Sequence, residues 1–157
     1  MLPDTPVNLP PDADMVIVVD MGKPSNTERA VIYTIEDGIP VIHSKTITSH
    51  GKGSDANNDG IADKFSNVPN SLATSLGTYR IAEQYYGKYG LSFRLDGLDP
   101  TNSNARNRAI VIHEASYVTK SRVGRSFGCI ALPIGFIRST LMPLLTKYKK
   151  SYLIVKR

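Results

Sequence analysis

The stretch GRSFGCIALP, residues 124–133, holds the only cysteine of the chain, Cys129. Acyl transfer through a covalent intermediate needs a sulfur nucleophile, a base to deprotonate it and donors for the developing oxyanion. His113 ends the apolar run RAIVIH sixteen positions before Cys129. A strand ending at the histidine, a loop and a second strand after the cysteine can bring the two side chains together. A neighbouring imidazole lowers a thiol pKa by favouring the thiolate–imidazolium pair. Gly128 leaves room for a carbonyl beside the sulfur, and the N–H groups of Phe127, Gly128 and Cys129 are candidate oxyanion donors. Arg125 and Ser126 are polar groups placed to meet a charged substrate. The same residues admit a structural reading. A lone cysteine beside Ile-Ala-Leu is commonly a small core residue, and a histidine ending a buried strand is commonly a hydrogen-bonded structural group.

A second set of residues has metal-loop spacing. DANNDGIAD, residues 55–63, places Asp55, Asn57, Asp59 and Asp63 at alternating positions, with Gly60 at the turn. Oxygen ligands so spaced suit a structural calcium ion. The twelfth position is Ser66 rather than a bidentate glutamate, and Asn, Asp and Gly also build plain hairpin tips. His43, His50 and Cys129 fit no strong metal-ligand spacing, and His50, opening the polar stretch HGKGSD, reads as exposed.

These residues need a scaffold. The 157 residues suit one domain with a real core. The chain is 41% hydrophobic and 21% charged, which excludes a disordered polyelectrolyte. A single cysteine excludes an internal disulfide framework and a multi-thiolate zinc site. The net charge of +5 is scattered apart from KYKK at 147–150, and no aromatic–basic interleaving marks a nucleic-acid surface. The longest apolar stretch near the start, MVIVV, is too short to span a bilayer, and no signal peptide is visible in the first fourteen residues.

Residues 1–14, with four prolines and three aspartates, read as an extended arm or linker before a single domain at 15–157. Valine-rich MVIVVD at 15–20 reads as a strand. Residues 29–36 and 39–49 read as a hairpin closed by Asp37-Gly38. Residues 50–75 are a polar loop of a length that is usually functional. Strands are expected at 76–87, 91–98, 108–113 and 151–156. Residues 134–148 have helical apolar spacing, which Pro143 should kink or split. The sum is mainly β: a sandwich or partly open barrel with one or two short helices, in which antiparallel hairpins dominate.

The ordered segments SLGTYRI, GKYGLSFRLDGLDPTNSNARNRAIVIHEASYV and GRSFGCIALP resemble the L,D-transpeptidase catalytic domain (YkuD-like) family, in particular its murein L,D-transpeptidase branch. The resemblance covers nearly the whole chain. It implies a β-rich fold, a location in the bacterial envelope, periplasm or outside the cell, and a cysteine acyl-enzyme acting on peptidoglycan stem peptides with no required cofactor. By position, Cys129 is the nucleophile, His113 the base, and the backbone carbonyl of Glu114 orients the imidazole. Phe127 stands where many members carry a histidine and Ala131 where many carry arginine or asparagine, so Arg125 becomes the candidate cationic contact. The same site can serve transpeptidation or L,D-carboxypeptidation. The reading from another class is a non-catalytic cell-wall-binding β domain with Cys129 merely buried. A papain-like peptidase is disfavoured, because there the cysteine precedes the histidine and lies on a helix.

Overall fold

The computed structural model describes residues 8–157. Eight strands are present among them: β1 (Met15–Asp20), β2 (Ala30–Glu36), β3 (Ile39–Thr46), β4 (Gly77–Gly87), β5 (Gly90–Gly97), β6 (Val111–Glu114), β7 (Ile130–Leu132) and β8 (Ser151–Lys156). They form one sheet in the order β3-β2-β1-β8-β4-β5-β6-β7. The domain is mainly β, as expected, but the sheet is mixed. β1 runs parallel to β8 and β6 parallel to β7, while the other neighbours are antiparallel.

The continuous apolar run of β1 has its cause in burial on both faces. Met15, Ile17 and Val19 join the main core with Ile32, Leu95, Ile112 and Leu153. Val16 and Val18 turn the other way, onto Tyr33, Ile154 and Ala13, with Leu9 packed beside them. Residues 8–14, read as part of an arm, therefore lie against the domain. Tyr152 Oη donates to Asp12 at 2.8 Å, and the Lys150 N–H to Asp14 at 3.2 Å. Residues 1–7 of that expected arm lie outside the described residues.

Local chemistry sets the turns. Asp37 (φ +52°) and Gly38 (φ +78°) give the β2–β3 hairpin two consecutive left-handed residues, as a tight primed turn requires. A second two-residue turn, Lys88-Tyr89, joins β4 to β5. The strand expected from 108 begins only at Val111, because Ala109 sits at φ +57° and turns the chain there. The expected return strand through 49 stops at Thr46. Beyond it the chain leaves β2 for the opposite end of the sheet. Thr48 Oγ1 and the Ser49 N–H both donate to the Ala131 carbonyl of β7, at 2.8 and 3.1 Å. That crossing curls the sheet towards a barrel without closing it.

The helical segment does split at its proline. Ile137–Leu141 is a π-helical turn and α1 (Met142–Lys147) follows it. Pro143 falls in the first turn of α1, where its missing N–H costs nothing, and the wider π turn precedes it. Ile137, Leu141 and Leu144 seal the main core. Among the described residues no helix is long and apolar enough to cross a membrane.

Leu153, fully buried between β1 and β4, tests this packing. Leu153→Ala should lower unfolding free energy by about 3 kcal/mol, read as a drop in the urea midpoint. An unchanged midpoint would contradict the core assignment.

Candidate active site

The parallel pairing of β6 with β7 sets His113 opposite Ala131. Cys129 lies just before β7, two residues from Ala131, so the strand alternation turns its side chain to the same face as His113. Both line one cleft of about 260 Å³, together with Lys52, Tyr89, Tyr117, Arg125, Ser126 and Phe127. The sheet thus gathers most of the expected site residues around one opening. Little of the thiol or the ring is exposed to solvent: Cys129 is 6% and His113 2% accessible.

The imidazole is oriented from behind. His113 Nδ1 lies 2.9 Å from the Glu114 carbonyl oxygen. A carbonyl only accepts, so Nδ1 carries the proton and the neutral ring keeps its lone pair on Nε2. Tyr89, at the β4–β5 turn, stacks on the ring with centroids 4.4 Å apart and planes 17° from parallel. The Glu114 carboxylate does not add charge to the cleft. It accepts the Ile137 N–H at 2.8 Å, at the start of the helical segment.

The sulfur has partners too. It accepts the Val111 N–H at 3.4 Å, and the thiol faces the Ala109 carbonyl at 3.6 Å. Burial pushes the Cys129 thiol pKa up, against the pull of the Val111 N–H and of the Arg108 and Lys88 charges. Burial also pushes the His113 pKa below 6.5, against the Glu114 hydrogen bond. The expected lowering of the thiol pKa is therefore not found. In this cleft both groups favour their uncharged forms.

The cysteine loop is built by Ser126 and two glycines. Ser126 is buried; its Oγ donates to the Cys129 carbonyl at 2.8 Å and accepts the Gly128 N–H at 3.1 Å. Gly128 has φ +114°, and a Cβ there would press on the Ala73 carbonyl. A Cβ on Gly51 would meet the Gly128 backbone at 3.0 Å. Glycine at both positions permits this close approach. Ser126 thus shapes the loop, and the Gly128 N–H is already engaged. Phe127 stands half exposed at the lip, with Lys52 Nζ 5.2 Å from its ring centroid.

The acidic loop is ordered from within. Asp55 is buried, and its carboxylate takes His50 Nε2 at 2.9 Å and the N–H groups of Asp59 and Gly60, each at 3.0 Å. Asn57, Asp59 and Asp63 remain on the exposed side. Among the described residues no group of three or more His, Cys, Asp and Glu is gathered in a way that could hold a metal ion. His50, expected to be exposed, is 1% accessible. His43, by contrast, lies exposed on β3 beside Ser44. Arg125 lines the cleft and also donates from Nη1 to the Asp55 carbonyl at 2.7 Å.

Sequence reasoning missed Tyr89, Tyr117, Lys52 and Arg108. The Gly-Lys-Tyr-Gly turn was the available signal for Tyr89. Arg108 stands in sequence at the start of an apolar run, which signals only a strand. Its guanidinium holds the 66–75 segment through the Ser66 and Ala73 carbonyls and the Ser71 and Ser75 hydroxyls, at 2.8–3.1 Å.

The sequence model described as L,D-transpeptidase catalytic domain matches residues 8–153. No curated protein sequence gave a match. The fold is similar to that of the helical cell shape determining protein Pgp2 of Campylobacter jejuni (15% identity, TM-score 0.64, 93% of this chain and 48% of that one). It is also similar to Bd1075 of Bdellovibrio bacteriovorus (14%, TM-score 0.51, 90% and 47%) and to an L,D-transpeptidase from Mycobacterium smegmatis (15%, TM-score 0.50, 92% and 59%). The chain spans roughly half the length of these structures, and at such identities the likeness is one of fold.

Stability should depend on the buried histidines. Burial holds His50 and His113 below the ordinary value of 6.5, so around that pH the unfolded chain binds more protons than the folded one. Their contribution is complete above pH 6.5 and is lost as pH falls through the lower folded-state values. The urea midpoint should fall between pH 7 and pH 5, less steeply in His50→Gln. A midpoint that rises on acidification would contradict the assignment.

Proposed function

Because the chain belongs to the L,D-transpeptidase catalytic domain family, we propose that it is a cysteine acyltransferase acting on peptidoglycan stem peptides in the bacterial envelope. The observation that carries this reading is the shared cleft of Cys129 and an imidazole whose Nδ1 is tied to the Glu114 carbonyl. A buried structural cysteine has no need of a histidine held in one tautomer beside an opening. The cleft also suits an anionic peptide. Lys52 and Arg125 line it and no acidic side chain does; the Glu114 and Asp55 carboxylates are engaged elsewhere.

In the proposed reaction, a tetrapeptide stem presents the carbonyl at the L-centre of its diamino acid to Cys129 Sγ. Both groups start uncharged, so the proton passes from sulfur to His113 Nε2 as the S–C bond forms. The ring is then a cation, which the Glu114 carbonyl stabilises through Nδ1–H. The oxyanion faces main-chain N–H groups of Phe127 and Cys129, since Gly128 donates to Ser126. When the C–N bond breaks, His113 returns the proton to the departing D-alanine nitrogen, leaving a thioester on Cys129. An acceptor amine from a second stem, giving its proton to His113, then forms the cross-link and releases the thiol. Water in its place gives a trimmed tripeptide, the L,D-carboxypeptidase outcome. Tyr89, stacked on the imidazole, covers one face of the base.

Release of D-alanine from a stem tetrapeptide, followed by chromatography, tests the assignment. Cys129→Ser and His113→Ala should each lower the rate by about a thousandfold or more, with cross-linked dimer appearing only with active protein. Wild-type release by Cys129→Ser would refute the proposal.

A further inference from the structure

Away from the thiol lies a buried polar chain that the reaction above does not use. Arg29, His50 and Asp55 are each 1% accessible. Arg29 donates from Nε and Nη2 to the Thr48 carbonyl, at 3.2 and 2.7 Å, and from Nη1 to the Lys23 carbonyl at 3.1 Å. Its Nη2 also reaches His50 Nδ1 at 3.0 Å. A guanidinium only donates, so Nδ1 accepts and the His50 proton sits on Nε2, pointing at Asp55 Oδ2 2.9 Å away. The donor direction is fixed from the cation, through a neutral imidazole, to the anion.

Two links run from this chain to the cysteine loop. Through the backbone, the His50 carbonyl accepts the Ser126 N–H at 2.9 Å, and the Ser126 carbonyl accepts the Lys52 N–H at 2.8 Å. Ser126 then bonds both Gly128 and Cys129. Through side chains, the Asp55 carbonyl holds Arg125, which lines the cleft. Buried ionic chains contribute little net stability, and well-packed apolar replacements are often as stable. Burial lowers the Arg29 pKa to about 10, a sign of that desolvation cost. What such a chain does supply is a unique geometry.

We propose that His50, bridging Arg29 to Asp55, is a positioning residue that sets the Arg125–Cys129 loop, and with it the direction of the sulfur, without touching the reacting atoms. This rests on the reading of Cys129 as the nucleophile. It extends the functional unit to the residue before β2 and to the loop at 50–55.

The test compares wild type with His50→Ala, His50→Gln and Asp55→Asn. Each is checked for folding by near-UV circular dichroism, then read by the pH profile of Cys129 alkylation with iodoacetamide and by kcat and KM for D-alanine release. His50→Ala should lower kcat about tenfold with KM changed less than about twofold. It should also shift the alkylation profile, altering the rate at pH 8 by about fivefold. The glutamine amide can accept from Arg29 and donate to Asp55, so His50→Gln should recover most of both. A merely structural role would move the melting temperature alone. If His50→Ala does not fold, Asp55→Asn decides, since it keeps the volume, removes the charge and turns one of the two accepting oxygens into a donor. A folded variant of either kind with wild-type kcat and alkylation profile would overturn the proposal, as would loss of folding in both. Wild-type protein that releases no D-alanine would refute the functional reading alone, and the alkylation comparison would still decide the role of His50.

Discussion

The lateral pairing of β6 with β7 is the contact on which the site depends. It joins two short consecutive strands in parallel, across a connection of fifteen residues, and sets Ile112 against Ile130 and His113 against Ala131. Slipping that register by one residue would send one partner of the cysteine–histidine pair into the core. The pairing is secured from both sides. Phe93 and Arg94 of β5 hold β6, and Thr48 and Ser49 hold the outer edge of β7 through Ala131. The curl of the sheet that brings residues 47–52 to this edge is therefore a requirement of the site as much as a feature of the fold.

Burial has a chemical consequence at this junction. A low-dielectric setting penalises a lone thiolate and a lone imidazolium alike. The resting cleft favours the uncharged pair, and in the proposed reaction charge develops only when an acyl group accepts the sulfur's electrons. Fixed dipoles then matter more than they would in water. The Glu114 carbonyl behind the ring is one of them, and the carboxylate of the same residue anchors that peptide to the start of the helical segment.

Period and turn chemistry made much of the fold legible. MVIVVD, the Asp37-Gly38 turn and the Pro143 break all appear where local physics demands them. The departures have tertiary causes. Ala109 adopts a left-handed backbone that no local signal announces, shortening the expected strand. Residues beyond Thr46 leave one strand neighbour for another, which depends on sheet curvature rather than on their own sequence. The grouping of Cys129 with His113 in one cleft was legible because the chemistry sought restricts residue types. His50 was misread because a polar neighbourhood in sequence concealed a buried one in space. Its partner Arg29 is the residue just before β2, twenty-one positions earlier. Tyr89 reaches His113 across a hairpin, a contact that depends on the β4–β5 register.

The central claim is that the Cys129 sulfur forms an acyl bond with a stem peptide when His113 takes its proton. Intact-protein mass spectrometry after rapid mixing with a tetrapeptide stem measures this most directly. The account predicts an adduct equal to the tetrapeptide less D-alanine, carried on the Cys129 peptide, cleaved by hydroxylamine and absent from His113→Ala. Turnover of the stem with no adduct on Cys129, or an equal adduct in His113→Ala, would contradict it.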